Sequence, residues 1–249
     1  MQLDPAATAA GARLIALDSV GSTNAEGLER ARRGERGPLW ITSKRQTAGR
    51  GRRGRTWVSE PGNLYASLLL TDPSPPQHSA ELSFVAGLAL HDAIAGRIPG
   101  LSTRLGLKWP NDLLIDRMKV AGILVEGEGP AVVIGIGVNC VGHPAGTEFP
   151  ATDLATAGVR TTPESVFAPL SAAMVVRLAR WNRGAAFAAI RTDWLARAAG
   201  LGRTIHIALD DSNLSGRFET IDDTGRLMLR TSDGKLRPIA AGDVVGAGR

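Results

Sequence analysis

The segment Lys108-Trp-Pro-Asn-Asp112 sets a cation, an indole, a rigid turn and a carboxylate within five residues. Seven residues after Asp112, Lys119 opens the otherwise apolar stretch Lys119-Val-Ala-Gly-Ile-Leu124. A lysine at the mouth of a buried strand loses hydration that an anion can replace. Two such lysines point to an anionic ligand. The alternative is that both reach solvent on their methylene stems while Asp112 caps a turn.

A second concentration of charge lies upstream. Lys44, Arg45, Arg50, Arg52, Arg53 and Arg55 are six of the 29 lysines and arginines, gathered in twelve residues without one acid. Outside that segment 23 positive charges stand against 24 negative, so the formal net charge of +5 belongs to one site. Gly49-Arg-Gly-Arg-Arg-Gly54 satisfies G-x-G-x-x-G, and residues 49–56 fall one residue short of a Walker A loop. Both motifs work by opening a helix whose N-terminus receives phosphate, and residues 56–62 contain no helical pattern. A different chemistry is available: glycines let the backbone fold over a ligand while Arg52, Arg53 and Arg55 grip phosphate oxygens in bidentate fashion. A solvated surface loop or an RNA-binding Arg/Gly tract is the alternative, although such tracts usually repeat and this one occurs once.

Gly135-Ile-Gly-Val-Asn139 reads as a strand ending in glycines that admit a ligand ring or serve packing. Cys140, beside it, has no base in sequence and reads as an inert small hydrophobe. His78, His91, His143 and His206 are scattered without an i, i+4 pair, which argues against a histidine-ligated metal or a histidine-based triad.

These groups need elements to position them. Asp18-Ser-Val-Gly-Ser-Thr-Asn24 leads into a helix over about residues 25–33, with Thr23 and Glu26 at capping-box spacing and Gly34 as the stop. Strands are predicted over 38–42 and 64–70, with the Arg/Gly segment as the loop between them and Pro73-Ser-Pro-Pro76 as a surface linker. Residues 81–97 carry apolar side chains at helical spacing. Strands joined by short turns then follow over 108–112, 113–115, 120–126 and 131–138, and an Ala-rich helical region with a break near 182–184 fills 163–200. The last fifty residues change to short alternating segments at 204–209, 216–221, 227–231 and 236–239, separated by Asp/Gly-rich turns, as in a small barrel. A boundary near 200–202 divides a domain of residues 1–200 from one of 201–249.

Composition bounds the rest. With 249 residues, 43% hydrophobic and 21% charged, the chain can build a full core and does not resemble a disordered or histone-like tail. One cysteine excludes an intramolecular disulfide and fits a reducing cytoplasm. Residues 1–11 lack the basic and apolar regions of a signal peptide, and no apolar run approaches the ~20 residues of a membrane span.

Taken in order, Ser22-Thr-Asn24, Gln46-Thr-Ala-Gly-Arg-Gly-Arg-Arg-Gly-Arg55 with Trp57, Lys108-Trp-Pro-Asn-Asp112, Lys119-Val-Ala-Gly-Ile-Leu124 with Glu126, and Gly135-Ile-Gly-Val-Asn139 resemble the biotin protein ligase family. The likeness runs over about residues 17–245. It implies an α/β (α+β) fold, a mixed-sheet catalytic domain related to class II aminoacyl-tRNA synthetases, followed by a small SH3-like barrel. It also implies a chemistry. The carboxylate of biotin attacks the α-phosphate of Mg-ATP, giving biotinyl-adenylate and pyrophosphate, and a lysine of biotin carboxyl carrier protein then attacks the anhydride and releases AMP.

By position, the resemblance assigns Ser22, Thr23, Asn24 and Gln46 to biotin, with Gly49, Arg50, Gly51 and Arg52 closing over it. Tyr65, Gly122, Gly135 and Gly137 are expected to line its pocket. Lys119 would bridge the biotin carboxylate and the α-phosphate, the leading catalytic assignment, with Arg52, Arg55 and Lys108 offsetting charge. Trp57, Asn111 and Asn139 are expected near the nucleotide. Asp112 is expected to aid Mg2+ or the incoming lysine, and the Arg/Gly loop to act as a lid. Phe149 and Pro150 stand where some members carry an adenine-stacking tryptophan, which leaves the adenine contact unassigned. Some members add an N-terminal winged-helix repressor; about 16 residues precede Asp18 here, so a ligase without DNA binding is expected. The carrier is expected to belong to acetyl-CoA carboxylase or another carboxylase. Family members occur as monomers and as homodimers built by sheet extension, and the residues leave both open.

Two other functions compete. A lipoate ligase or octanoyl transferase shares the superfamily but not the Arg-Gly-Arg-Arg-Gly-Arg loop. A nucleic-acid-binding module would use the basic loop and barrel, yet only Trp57 stands near the arginines, and stacking platforms need several aromatics.

Overall fold

The computed structural model of the protein describes residues 1–97, 100–147, 149–209 and 212–247. Among these, seven strands form one mixed sheet: β1 (Arg13–Val20), β2 (Leu39–Gln46), β3 (Leu64–Thr71), β4 (Leu105–Lys108), β5 (Asp112–Ile115), β6 (Met118–Glu128) and β7 (Ala131–Val138), in the spatial order β1-β2-β3-β7-β6-β5-β4. β1 and β2 run parallel; the other neighbours pair antiparallel. The helices are α1 (Pro5–Ala9), α2 (Thr23–Arg32), α3 (Leu82–Ala95), α4 (Pro163–Trp181) and α5 (Phe187–Leu195). A second, antiparallel sheet holds β8 (Thr204–Ala208), β9 (Asn213–Ile221), β10 (Leu227–Arg230), β11 (Leu236–Ile239) and β12 (Asp243–Ala247), ordered β11-β10-β9-β8-β12.

Side chains alternate across a strand, and this alternation decides where a site can form. In β3, Leu64, Ala66, Leu68 and Leu70 enter the large core with α3 and α4, whereas Leu69 enters a smaller core with α2. Tyr65 and Ser67 share the face of Leu69. In β7, Val132, Ile134, Ile136 and Val138 join the large core and Val133 the smaller one, so Gly135 and Gly137 lie on the α2 face. That face is apolar beneath α2 and turns polar or side-chain-free beyond it.

α3 is buried almost all round, since the sheet, α4 and the C-terminal sheet enclose it. Phe84 meets Phe187 and Trp194 edge to face at 5.6 and 5.4 Å. Ile205, Phe218 and Leu227 of the second sheet belong to the same continuous core as α3. No helix among the described residues is long and apolar enough to cross a membrane.

Several boundaries differ from expectation. Ser22, not Thr23, caps α2: its Oγ accepts from the Ala25 amide at 3.5 Å, and Glu26 pairs with Arg30 at 2.8 Å rather than closing a box. The shift frees Thr23 and Asn24 to face the sheet. β2 runs on to Gln46 because the parallel pairing with β1, itself unforeseen, continues to Val20, so Lys44 and Arg45 belong to a strand. The two segments expected at 108–112 and 113–115 are shifted: β4 ends at Lys108, residues 109–111 form the turn, and β5 starts at Asp112. β12 escaped the pattern. Asp210 and Asp211, in the first predicted barrel turn, lie outside the described residues, as do residues 248 and 249.

Candidate active site

A cavity of about 290 Å³ opens on the α2 face, over the floor made by β3, β7 and β6. The floor is low because it is built of glycine. Gly122 and Gly137 face each other across β6 and β7, and the Trp57 indole lies over both. A Cβ on Gly137 would come within 2.6 Å of that ring, and one on Gly122 within 3.0 Å. The ring admitted by the glycines is here the chain's own. The Trp57 Nε1–H is buried without an acceptor, an arrangement that costs about 1–3 kcal/mol until an acceptor arrives.

Lys119 reaches the cavity through an irregularity. Leu113 pairs with Ala121 but Leu114 pairs with Lys119, so Val120 is an extra residue in β6. In a regular strand Lys119 and Gly122, three apart, would project to opposite faces; the bulge returns Lys119 to the cavity while Val120 and Ala121 enter the core. Lys119 Nζ stands 2.7 Å from Asp112 Oδ1, and Lys108 Nζ 2.9 Å from Oδ2. The Lys119 contact lies off hydrogen-bond alignment, since Asp112 Oδ1 receives no hydrogen bond, so that pair is held by charge. Burial alone would push the Asp112 carboxyl up; the two ammonium groups outweigh it and hold the carboxyl below its ordinary value. Lys108 also donates to the Val244 carbonyl at 3.0 Å and lies 4.1 Å over the Phe149 ring.

At the other end of the cavity a polar network ties α2 to three strands. Gln46 Oε1 accepts from the Thr23 amide at 2.8 Å and from the Thr23 hydroxyl at 3.0 Å, and Gln46 Nε2 donates to Ser59 Oγ at 3.0 Å. Ser67 Oγ lies 2.7 Å from Thr23 Oγ1 and 2.6 Å from Asn24 Oδ1. Asn24 Nδ2 donates to Glu126 at 2.7 Å, and Glu126 pairs with Arg50 at 3.3 Å. The network fixes Thr23, Asn24 and Gln46 in one orientation above the glycine floor.

The Arg/Gly segment is a small hairpin with one 3-10 turn, Arg52–Gly54, at its tip, and it opens no α-helix. The Gly51 amide donates to the Arg55 carbonyl at 2.7 Å and the Trp57 amide to the Gly49 carbonyl at 2.9 Å, while Arg53 and Gly54 take left-handed φ of 54° and 70°. Three of its arginines meet the carboxylate of Asp243 in β12: Arg55 at 2.7 Å, Arg52 and Arg53 each at 3.4 Å. Burial pulls Arg52 below its ordinary value against the opposing pull of Asp243 and Asp112.

Of the residues singled out in the sequence, Ser22, Thr23, Asn24, Gln46, Arg50, Gly51, Arg52, Arg55, Trp57, Tyr65, Lys108, Asn111, Asp112, Lys119, Gly122, Gly135, Gly137 and Asn139 all line this cavity. Gly49 does not. It forms the base of the hairpin, where a Cβ would strike the Trp57 carbonyl and Ser59 Oγ at 2.5 and 2.6 Å. The Asn139 amide is engaged by the Thr152 carbonyl at 3.0 Å. Asp112 does not fit a magnesium ligand, since an ammonium group occupies each of its oxygens, and no cluster of three His, Cys, Asp or Glu is found among the described residues. Burial pushes the Cys140 thiol up to about 12, in keeping with an inert thiol. Sequence reasoning missed Ser59, Ser67 and Asp243. Ser67 left a signal, a hydroxyl inside an apolar run; Asp243 left none. The cavity is lined by five cationic and two carboxylate side chains, a surplus that calls for anions.

The chain matches the model of the Biotin/lipoate A/B protein ligase family over residues 21–139 and that of the Biotin protein ligase C terminal domain over residues 200–245. It is 43% identical over 228 residues to the biotin–[acetyl-CoA-carboxylase] ligase of Paracoccus denitrificans, covering 86% of this chain and 92% of that protein. It is 36% identical over 241 residues to the enzyme of the same name from Mycobacterium tuberculosis, covering 94% of this chain and 88% of that protein. A biotin protein ligase from Aquifex aeolicus, solved in complex with biotin and ATP, superposes with a TM-score of 0.78 at 26% identity, covering 93% of this chain and 97% of that one.

Proposed function

The chain belongs to the biotin protein ligase family, and on that premise we propose that it activates biotin with Mg-ATP and transfers it to a lysine of a biotin carboxyl carrier protein. The observation that carries this reading is the meeting, at Lys119, of a neutral hydrogen-bonding end and a cationic end of one cavity. Thr23, Asn24 and Gln46 supply donors and acceptors for a small polar ring, Ser67 holds Thr23 and Asn24 in place from beneath, and Tyr65 and the glycine floor give the ring apolar walls. Lys119, Lys108, Arg52 and Arg55 supply the charge needed to hold a carboxylate and a triphosphate together.

In the first step a biotin carboxylate oxygen forms a bond to the α-phosphorus, and the bond to the bridging oxygen breaks to release pyrophosphate. Lys119 offsets charge on both reacting groups. Asp112 acts as a positioning residue that holds Lys119 and Lys108 at fixed places. Trp57, Asn111 and Asn139 border the nucleotide end, and the hairpin of Arg50 to Arg55 shields the anhydride from water. In the second step the carrier lysine attacks the anhydride carbonyl, loses a proton and expels AMP, leaving an amide. The catalytic groups then lie in a domain of residues 1–200, with residues 201–249 as an SH3-like domain that closes one wall. The carrier is that of acetyl-CoA carboxylase or a related carboxylase, and the compartment is the cytoplasm.

The test is ATP-dependent transfer of labelled biotin to a carrier domain, with calorimetric titration of biotin and of lipoate alongside. Transfer of label and heat from biotin are expected. Tight lipoate binding without heat from biotin would overturn the reading in favour of a lipoate ligase.

A further inference from the structure

We infer that Asp243 is a positioning residue of this site: its carboxylate, brought in by β12, gathers Arg52, Arg53 and Arg55 over the cavity in the free chain and yields them to nucleotide phosphate. That phosphate is the incoming anion rests on the ligase reading above; the tie between Asp243 and the hairpin does not.

The start of β12 contacts the cations of the cavity through three consecutive residues. The Gly242 carbonyl accepts from Arg52 at 3.3 Å, Asp243 meets the three arginines, and the Val244 carbonyl accepts from Lys108 at 3.0 Å. The Asp243 side chain is 15% exposed while Arg55 is 51% exposed, so the carboxylate is the fixed partner and the arginines come to it.

The contacts are graded in strength. Arg55 Nη2 donates to Asp243 Oδ2 at 2.7 Å, a full charge-assisted bond. Arg52 Nη1 has two protons and three acceptors, Asn111 Oδ1, the Gly242 carbonyl and Asp243 Oδ1, all at 3.3–3.4 Å. None of those three is at optimal length. A phosphate, with several charged oxygens, can engage Arg52 bidentately at shorter range than this divided arrangement allows. Arg55 holds the hairpin near closure, and Arg52 is free to exchange its partners for phosphate.

Limited trypsin digestion of the full chain reads the tie directly, because the cleavable bonds follow Arg52, Arg53 and Arg55 themselves. Without ligand, Asp243→Asn is expected to be cut in the hairpin about fivefold faster than the parent, the scale of one or two partly exposed ion pairs. Asp243→Glu is expected to regain protection. Inorganic tripolyphosphate should protect both chains, at a severalfold lower concentration in Asp243→Asn because no carboxylate competes. In biotin-dependent pyrophosphate exchange the KM for ATP of Asp243→Asn should fall while the KM for biotin stays unchanged. Equal cutting of parent and Asp243→Asn without ligand, or a raised tripolyphosphate requirement in Asp243→Asn, would overturn the inference. Absence of exchange in the parent would instead overturn the ligase reading, and the ligand-free digestion would still report on the tie.

Discussion

Lys119 reaches the cavity as a cation already paired. The Asp112 carboxylate at 2.7 Å holds its ammonium in place, so that little reorganisation is left when a second anion arrives. Asp112 itself is stabilised in its charged form by both lysines, and this accounts for a carboxylate that is 6% exposed. Lys119→Ala removes the group proposed to sit between the two reacting anions but leaves the backbone bonds of Lys119 to Pro150 and Thr152 intact. The variant should fold and lose biotin-dependent pyrophosphate exchange by a factor on the order of 10²–10³, the range for removal of one charge-stabilising donor. Exchange near the parental rate would refute the assignment.

At the scale of elements, the site depends on where strands omit side chains. β7 places Gly135 against Asn24 and Gly137 against Trp57, and in both cases a Cβ would collide with a side chain rather than with backbone. Gly135→Ala and Gly137→Ala should therefore keep a cooperative melt while displacing their neighbours into the cavity. Gly135→Ala is expected to weaken biotin on the order of tenfold, equivalent to ~1.4 kcal/mol, and Gly137→Ala to weaken nucleotide more than biotin. Calorimetric titration of each ligand checks the separation. Equal loss of both ligands in both variants would contradict the division of the cavity into two ends. Ser22, by capping α2 one residue earlier than the Thr23–Glu26 spacing suggested, sets the helix rotation that presents Asn24 to Gly135.

For the whole molecule, the C-terminal sheet is part of the core and part of the site. Ile205, Ile207, Phe218 and Leu227 are buried in the same cluster as α3, and β12 supplies Asp243 and Val244 to the cavity wall. A chain ending at residue 200 would expose the packing surface of Phe84 and Phe187 and leave Lys108 without the Val244 carbonyl. It should bind an apolar fluorescent dye and lose cooperative melting, as calorimetry would record. A sharp melt with parental ATP affinity would show that the first 200 residues need neither contribution.

The helical break at 182–184, the two lysines, the arginine loop and the glycine strand were legible in the sequence because each is a local pattern: period, spacing or charge within about twenty residues; the fold class was legible through the resemblance that those motifs carry. The loop's failure to open a helix was legible for the same reason. Tertiary structure alone decided which face of the sheet those groups share. The extra Val120 reverses the direction of Lys119, a register event set by the pairing of β6 with β5 and invisible in the order of residues. Asp243 meets Arg55 across 188 positions, and Ser67 meets Asn24 across 43. Contacts of that length follow from the twist and stacking of whole sheets, and they leave no periodic signature in the chain that makes them.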